Sequence, residues 1–102
     1  METRTPIVVT RALRDIGENL ATWRKLRRLT VVEVAERAGV GVNTVQRLEK
    51  GEGTTLENVL RVARALGVLE ALTASLDPYQ TDVGRLRADE ALPERIRHRR
   101  TP

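Results

Sequence analysis

Apolar residues recur at helical spacing through much of the chain, and the first such stripe lies between residues 11 and 27. Its members are Leu13, Ile16, Leu20 and Trp23, three or four positions apart. This spacing predicts an amphipathic helix from about Arg11 to Arg27 with one face in a core. Thr10 is suited to be its N-cap.

The segment before this helix is short and β-branched. Residues 1–10 form a leader, in which Ile7, Val8 and Val9 stand next to each other. Such a run either pairs as a short edge strand with a second copy of the chain or forms an extended lead-in with one or two anchored side chains. The usual behaviour of chain termini favours the lead-in.

The stretch from Thr30 to Gly51, TVVEVAERAGVGVNTVQRLEKG, predicts two short helices joined by a tight turn. Thr30 with Glu33 forms a capping box at the start of the first. Gly39 in the turn can take a left-handed conformation that residues with a Cβ resist. The inward positions are Val34, Ala35 and Ala38 on the first helix, and Val45 and Leu48 on the second. The pattern indicates a helix-turn-helix, whose second helix lies in the DNA major groove.

Two further helices follow. Thr54 and Glu57 form a second capping box for a helix from about Thr55 to Leu66. Its predicted core face is Leu56, Val59, Leu60, Ala63 and Leu66. A short fifth helix is lined by Leu69, Leu72 and Leu76, and Asp77-Pro78 ends it. Beyond it, only a short helix within residues 83–92 is expected.

Composition restricts the class of protein. The 102 residues make one small domain, with 11–77 as its helical body and 78–102 as a basic extension. The absence of cysteine excludes disulfides and thiol chemistry and fits a reducing cytoplasm. No apolar run is long enough for a membrane span, and the N-terminus does not read as a secretory signal. A net charge of +4 favours polyanions such as nucleic acid, and it would attract anionic membranes and acidic proteins equally. A DNA-binding protein of this kind is expected in the cytoplasm, at the nucleoid.

The chemistry of DNA recognition is concentrated on the outer face of the second motif helix. At 100° per residue, Val42, Asn43, Gln46, Arg47 and Lys50 share one side. Arg47 can bond guanine in a bidentate manner, Asn43 or Gln46 can bond adenine, and Val42 can touch a thymine methyl group. Lys50, at the far end, suits a phosphate.

The segment from about Ile16 to Gly67 resembles the lambdoid phage repressor or XRE/Cro-type helix-turn-helix domain, carried by A-E-R-A-G-V-x-x-x-T-V-x-R-L-E-x-G at Ala35 to Gly51. The resemblance implies an all-α, five-helix fold. It also implies phosphate contacts by Thr30, Val31 and Lys50, and a salt bridge between Arg24 and Glu49. The base contacts that it implies are those of Val42, Asn43, Gln46 and Arg47.

The chain departs from that family at two positions that matter for DNA. Val31 stands where the family usually has a glutamine that bridges a phosphate and a recognition side chain. Arg28 stands where a glycine usually ends the first helix, so a positive φ there would strain the backbone. A phosphate contact by Arg28 would be the compensation.

The flanking segments resemble HipB-type antitoxins, which are autorepressors paired with a HipA-like serine/threonine kinase toxin. The similarity includes Thr54-Thr55-Leu56, the Leu-rich fifth helix, Asp77-Pro78 and a late Leu-Pro-Glu-Arg-Ile-Arg. It implies a homodimer, and two modules reading adjacent half-sites require one on general grounds.

The C-terminal extension is rich in arginine and has three interpretations. It follows DNA phosphates, docks an acidic partner, or is a solvated end. The arginines are Arg85, Arg87, Arg95, Arg97, Arg99 and Arg100.

The sequence therefore predicts a dimeric repressor of double-stranded DNA, of the antitoxin type. The alternatives are a stand-alone XRE-type regulator and a protein-interaction adaptor that keeps the fold. An adaptor would tolerate acidic residues on the face of Val42 to Lys50, which has none. Catalysis, a cofactor and a metal site are not expected, because there is no cysteine and the single histidine, His98, lies in the extension.

Overall fold

A computed structural model describes residues 4–95 of the chain. Across these residues the regular elements are all helical, as the sequence predicts. Six α-helices occur, with a 3₁₀ turn at Pro78–Gln80 before the last. The helices are α1 (Ile7–Leu26), α2 (Val31–Ala38), α3 (Val42–Glu49), α4 (Leu56–Leu66), α5 (Leu69–Ala74) and α6 (Asp82–Leu86).

The chain forms two compact units that divide after Leu72, within α5. In the first unit α2 packs against α3 and α4, and α1 packs against α3. The hydrophobic core of this unit is aliphatic, and its largest fully buried side chains are Val34, Val45, Val62 and Leu66. Since α2 and α3 share that core, their relative orientation is fixed by packing rather than by the turn alone.

The second unit, described as far as Arg95, is built around the 3₁₀ turn and α6. The Thr81 hydroxyl caps α6 by accepting from the N–H of Gly84 at 3.1 Å. Helix α6 overlaps the segment in which a short helix was expected. The positions of Arg97, Arg99 and Arg100 in the predicted arginine-rich tail, and His98, lie outside the described residues.

The first helix begins earlier than predicted, and the extended lead-in at Ile7, Val8 and Val9 is wrong. Pro6 is the N-cap, and its carbonyl oxygen accepts from the N–H groups of Val9 at 3.0 Å and Thr10 at 3.1 Å. Thr10 is consequently a helical residue and not the N-cap. A β-branched residue costs only a few tenths of a kcal/mol in a helix, so three of them do not prevent the turn that Pro6 starts.

The predicted apolar stripe of α1 is also partly wrong. Leu20 is buried, but Ile16 and Trp23 keep 46% and 40% of their surface exposed. The face that meets the core includes Gly17 and Leu20 instead. An alanine-like Cβ at Gly17 would lie 2.8 Å from the backbone oxygen of Glu49, so α1 crosses the end of α3 where only glycine fits.

The fourth helix differs from expectation at its first turn. Its N-cap is Thr55, whose hydroxyl accepts from the N–H of Asn58 at 3.2 Å. Thr54 instead accepts from the side-chain amide of Asn58, and Glu57 pairs with Arg61 at 2.9 Å. The predicted capping box of Thr54 and Glu57 is therefore wrong, because the helix begins one residue later than it requires.

The core face of α4 is confirmed at Ala63 and Leu66, which are buried, and at Val59, which packs against the core, but it differs at two other positions. The predicted Leu56 is 71% exposed, while Val62, which was not predicted, is 2% exposed. Leu56 is the first residue of the helix and lies a turn before the segment that packs. On the following helix, Leu76 was expected to line the apolar face, but it lies beyond the end of α5 and is exposed.

Candidate nucleic-acid interface

The start of α2 is held by the predicted capping box. The Thr30 hydroxyl accepts from the N–H of Glu33 at 3.1 Å, and the Glu33 carboxylate accepts from the N–H of Thr30 at 3.0 Å. Hydrogen bonds from the backbone N–H and the side chain of Thr30 to the Glu33 carboxylate stabilise its ionised form and lower the pKa of Glu33. The Thr30 side chain is exposed.

The turn between α2 and α3 has the backbone that its sequence predicts. Gly39 has φ +69° and ψ 35°, and its N–H bonds back to the end of α2. Gly41 starts α3 in an extended conformation with no side-chain cap. A left-handed residue at Gly39 turns the chain without lengthening the loop, so only three residues separate α2 from α3.

The inner and outer faces of α3 separate as expected from the sequence. Val45 and Leu48 are 1% and 2% exposed, and both belong to the core. The outward side chains are Val42, Asn43, Gln46, Arg47 and Lys50, all of them exposed. Asn43, Gln46 and Arg47 therefore face solvent from a helix whose other side is buried in the core.

Arg24 of α1 and Glu49 of α3 join the two helices by a bidentate ion pair. The Nε and Nη2 atoms of Arg24 donate to the Glu49 carboxylate at 2.7 and 3.1 Å, and Nη1 donates to the carbonyl oxygen of Leu29 at 3.1 Å. Each side chain is only 16% exposed. The hydrogen bond to Glu49 raises the pKa of Arg24 above its ordinary value, so the cation is retained. This is the pair that the resemblance implies.

Arg28 follows α1 with φ +57°, and it is the only non-glycine residue with positive φ among residues 4–95. The N–H of Arg28 donates to the carbonyl oxygen of Lys25, and the N–H of Leu29 donates to the carbonyl oxygen of Arg24. These two bonds close the end of the helix. The side chain is exposed. A bulky residue in this region costs about 1 kcal/mol or more relative to glycine.

Val31 is one of the predicted phosphate-contacting residues, but its side chain packs against the core. The first backbone bond of α2 joins the N–H of Val34 to the carbonyl oxygen of Thr30 at 3.0 Å. The N–H groups of Val31 and Val32 precede that bond and lie at the positive end of the helix dipole. Any phosphate contact at position 31 thus comes from the backbone.

An open groove of about 410 Å³ runs between α1 and α3. Its lining residues are Glu18, Ala21, Thr22, Lys25, Gln46, Glu49 and Lys50. Lys25 therefore lies beside two of the predicted contact residues, Gln46 and Lys50, and was not itself predicted as a contact. The helical period predicts which face of α1 it occupies but not that α3 lies next to that face.

Comparison with known proteins identifies the class. A family model for the HTH_3 helix-turn-helix matches residues 20–71, and the chain belongs to that family. It is a DNA-binding, XRE-type helix-turn-helix protein of the transcription-regulator class, with a lambda-repressor-like fold. Neither a curated protein nor a solved structure matches the chain.

Residues 4–95 contain no helix long and apolar enough to cross a lipid bilayer. In the same part of the chain, no three His, Cys, Asp or Glu residues come close enough together to hold a metal ion.

Proposed function

We propose that this protein is a dimeric, sequence-specific repressor that reads operator bases with the outer face of α3. The observation that carries the proposal is the arrangement of α3 itself. Val45 and Leu48 are buried on one side, while Asn43, Gln46 and Arg47 are exposed on the other. Two amides and a guanidinium are the groups that bond adenine and guanine edges in the major groove.

The base contacts divide by side-chain chemistry. Arg47 donates to O6 and N7 of guanine, and Asn43 or Gln46 exchanges hydrogen bonds with adenine. Val42, at 37% exposed, offers methyl groups to a thymine. Because the ion pair of Arg24 and Glu49 fixes the last turn of α3 against α1, these side chains are presented from a rigid support.

Phosphate contacts surround this surface. Thr30 donates through its hydroxyl, Val31 through its backbone N–H, and Arg28 and Lys50 through cationic side chains. Lys25 joins this set, since it shares the groove with Gln46 and Lys50. Each cation that neutralises a phosphate releases about one counterion, which makes affinity depend on salt.

Binding selection from random duplex DNA, followed by fluorescence anisotropy, tests this function. We expect one enriched sequence with two related half-sites roughly 34 Å apart. Arg64→Ala on α4 serves as the charge-matched control for Arg47→Ala, since both remove one exposed cation. Enrichment of no sequence above a scrambled competitor would contradict the proposal.

The antitoxin role is a finer proposal, supported by the resemblance of the flanking segments to HipB-type antitoxins. In this role the protein represses its own promoter at the nucleoid, in the cytoplasm, and binds a HipA-like kinase. Coexpression with a kinase-like product of the adjoining reading frame should yield a stable complex that retains operator binding. A kinase that remains unbound and toxic in the presence of this protein would leave the stand-alone regulator as the function.

A further inference from the structure

Helix α1 has a second apolar face that points away from its own core. Its members are Val9, Ala12, Ile16, Asn19, Trp23 and Leu26, here called the α1 seam. All six are exposed, and the four large side chains retain between 40% and 67% of their surface. The buried residues Gly17 and Leu20 lie on the neighbouring face. The helix is therefore apolar on two sides, of which the core of the first unit uses one.

The spacing of the seam is that of a coiled coil. Successive members are separated by three, four, three, four and three residues, which is the a/d pattern of three heptads. Five of the six positions are apolar and none is charged, although the whole chain carries a net charge of +4. The Arg27 guanidinium lies over the Trp23 ring, 5.3 Å from its centroid, so a cation borders the strip at that end. The members of the strip themselves bring no like charges together when two copies meet.

The first turns of α1 give an independent reason to expect another helix packed against the seam. Every residue from 7 to 12 is exposed, yet these residues form the first turns of the helix. Isolated helical turns are marginal in water, because nucleation fixes several residues for each hydrogen bond gained. Packing of Val9 and Ala12 against another helix would stabilise this part of α1.

We infer that the α1 seam pairs with the same seam of a second copy, as an antiparallel two-helix coiled coil. This pairing rests on the proposed function, because a repressor that reads two half-sites needs two copies of the chain. With a twofold axis between Gly17 and Glu18, Val9 packs against Leu26 of the second copy. Ala12 then packs against Trp23, and Ile16 against Asn19.

Side-chain size favours the antiparallel arrangement over the parallel one. It places the small Ala12 opposite the large Trp23, so that volumes are matched in that layer. A parallel pair would put two indole rings together and leave a gap between two alanine methyl groups. Each Asn19, the one polar member of the seam, faces Ile16 of the second copy, and a polar residue at a seam position restricts the register at some cost in stability.

The area available predicts a reversible dimer. The 20 residues of α1 extend about 30 Å, and the seam is about one helix diameter wide. Pairing two such strips removes on the order of 1,000 Å² of accessible surface, which is at the low end for specific complexes. Dissociation in the micromolar range follows, with operator DNA bringing two copies together.

The test is the mass of the DNA-free protein by sedimentation from roughly 1 to 200 µM, spanning the micromolar affinities of interfaces this small. The wild type should shift from monomer to dimer, and the emission of its only tryptophan, Trp23, should move to shorter wavelength over the same range. Ile16→Glu should remain monomeric with unshifted emission. Leu56→Glu is the matched control, an exposed apolar residue outside the seam, and should dimerise like the wild type.

Circular dichroism and the milder Ile16→Ser variant separate loss of pairing from loss of fold. Ile16→Ser should keep the helical spectrum and weaken dimerisation by about a hundredfold, because each dimer loses two buried aliphatic side chains, each worth roughly tenfold. A strictly monomeric wild type, or Ile16 variants that fold and dimerise normally, would overturn the inference. Specific operator binding by such a monomer would leave the proposed function standing.

The chain has no cysteine, so introduced cysteines report the orientation directly. In the antiparallel pair Val9→Cys and Leu26→Cys should each fail to form a disulfide alone but should crosslink when mixed. A disulfide formed by Val9→Cys alone would show a parallel pair and overturn the antiparallel arrangement.

Discussion

Gly17 of α1 lies directly against the backbone of Glu49, with no side chain between the two helices. A Cβ on Gly17 would come within 2.8 Å of the Glu49 carbonyl oxygen. The close approach brings α1 onto the last turn of the recognition helix and lets Arg24, two turns later, reach the Glu49 carboxylate. The carbonyl oxygen of Leu48 lies closer still to that Cβ position, so α1 meets the backbone of the last two residues of α3, and the ion pair holds the second of them.

Gly17→Ala should destabilise the protein. In an ordinary helix interior this change stabilises by about 0.5–1 kcal/mol, but here the methyl group meets backbone that cannot move aside. We expect a net loss of about 1–3 kcal/mol in the free energy of unfolding, measured with urea. Gly53→Ala is the control, since nothing lies within 4 Å of a Cβ there. A Gly17→Ala variant as stable as the wild type would show that α1 can separate from α3 without cost.

Breaking the ion pair of Arg24 and Glu49 should cost more than removing both charges together. Arg24→Met alone leaves a carboxylate that is only 16% exposed without its partner, and Glu49→Met alone leaves the guanidinium. We expect each single change to cost about 1–3 kcal/mol and the double change less than their sum. Additive losses in a double-mutant cycle would mean that the two groups do not interact in solution.

Arg28→Gly should make the protein more stable and its binding to operator DNA weaker. Relief of the positive φ should increase the free energy of unfolding by about 1 kcal/mol. Loss of the cation should also weaken operator binding and reduce the slope of log K against log salt by about one. A variant that is more stable and binds with an unchanged salt slope would remove Arg28 from the phosphate contacts.

Glu33 makes part of the stability depend on pH. Its pKa in the folded state is lowered by hydrogen bonds from Thr30, so its contribution is present above the unfolded value of about 4.5 and is lost as pH falls through the folded pKa. Glu33→Gln keeps a capping amide without a titrating group. The difference in unfolding free energy between wild type and Glu33→Gln should therefore shift in favour of the variant on going from pH 7 to pH 3. The same difference at both pH values would contradict this role of Glu33.

The sequence predicts the helix-turn-helix well because its signals are local. The capping box of Thr30 and Glu33, the glycine turn at Gly39 and the inward Val45 and Leu48 depend on residues within a few positions of each other. The structure has all of these features. The HTH_3 match covers the same segment.

The errors occur where tertiary packing decides. The helical spacing of apolar residues in α1 cannot distinguish the face that meets α3 from the exposed seam. It therefore predicts, wrongly, that Ile16 and Trp23 lie in the core. The glycine at position 17 was the available signal, since a glycine inside an amphipathic helix costs stability unless a close approach requires it. At α4, the spacing of Thr54 and Glu57 predicts a capping box, but the adjacent Thr55 caps the helix.

The central claim is that the outer face of α3 reads bases, and the most direct measurement compares sequences selected from random duplexes by wild type and Arg47→Ala. We expect the variant to keep the half-site spacing but to lose preference at one guanine per half-site, a change of about 1–3 kcal/mol at that position only. Lys50→Ala should weaken binding to all sequences equally. Identical selected sequences and affinities for wild type and Arg47→Ala would contradict readout by this face.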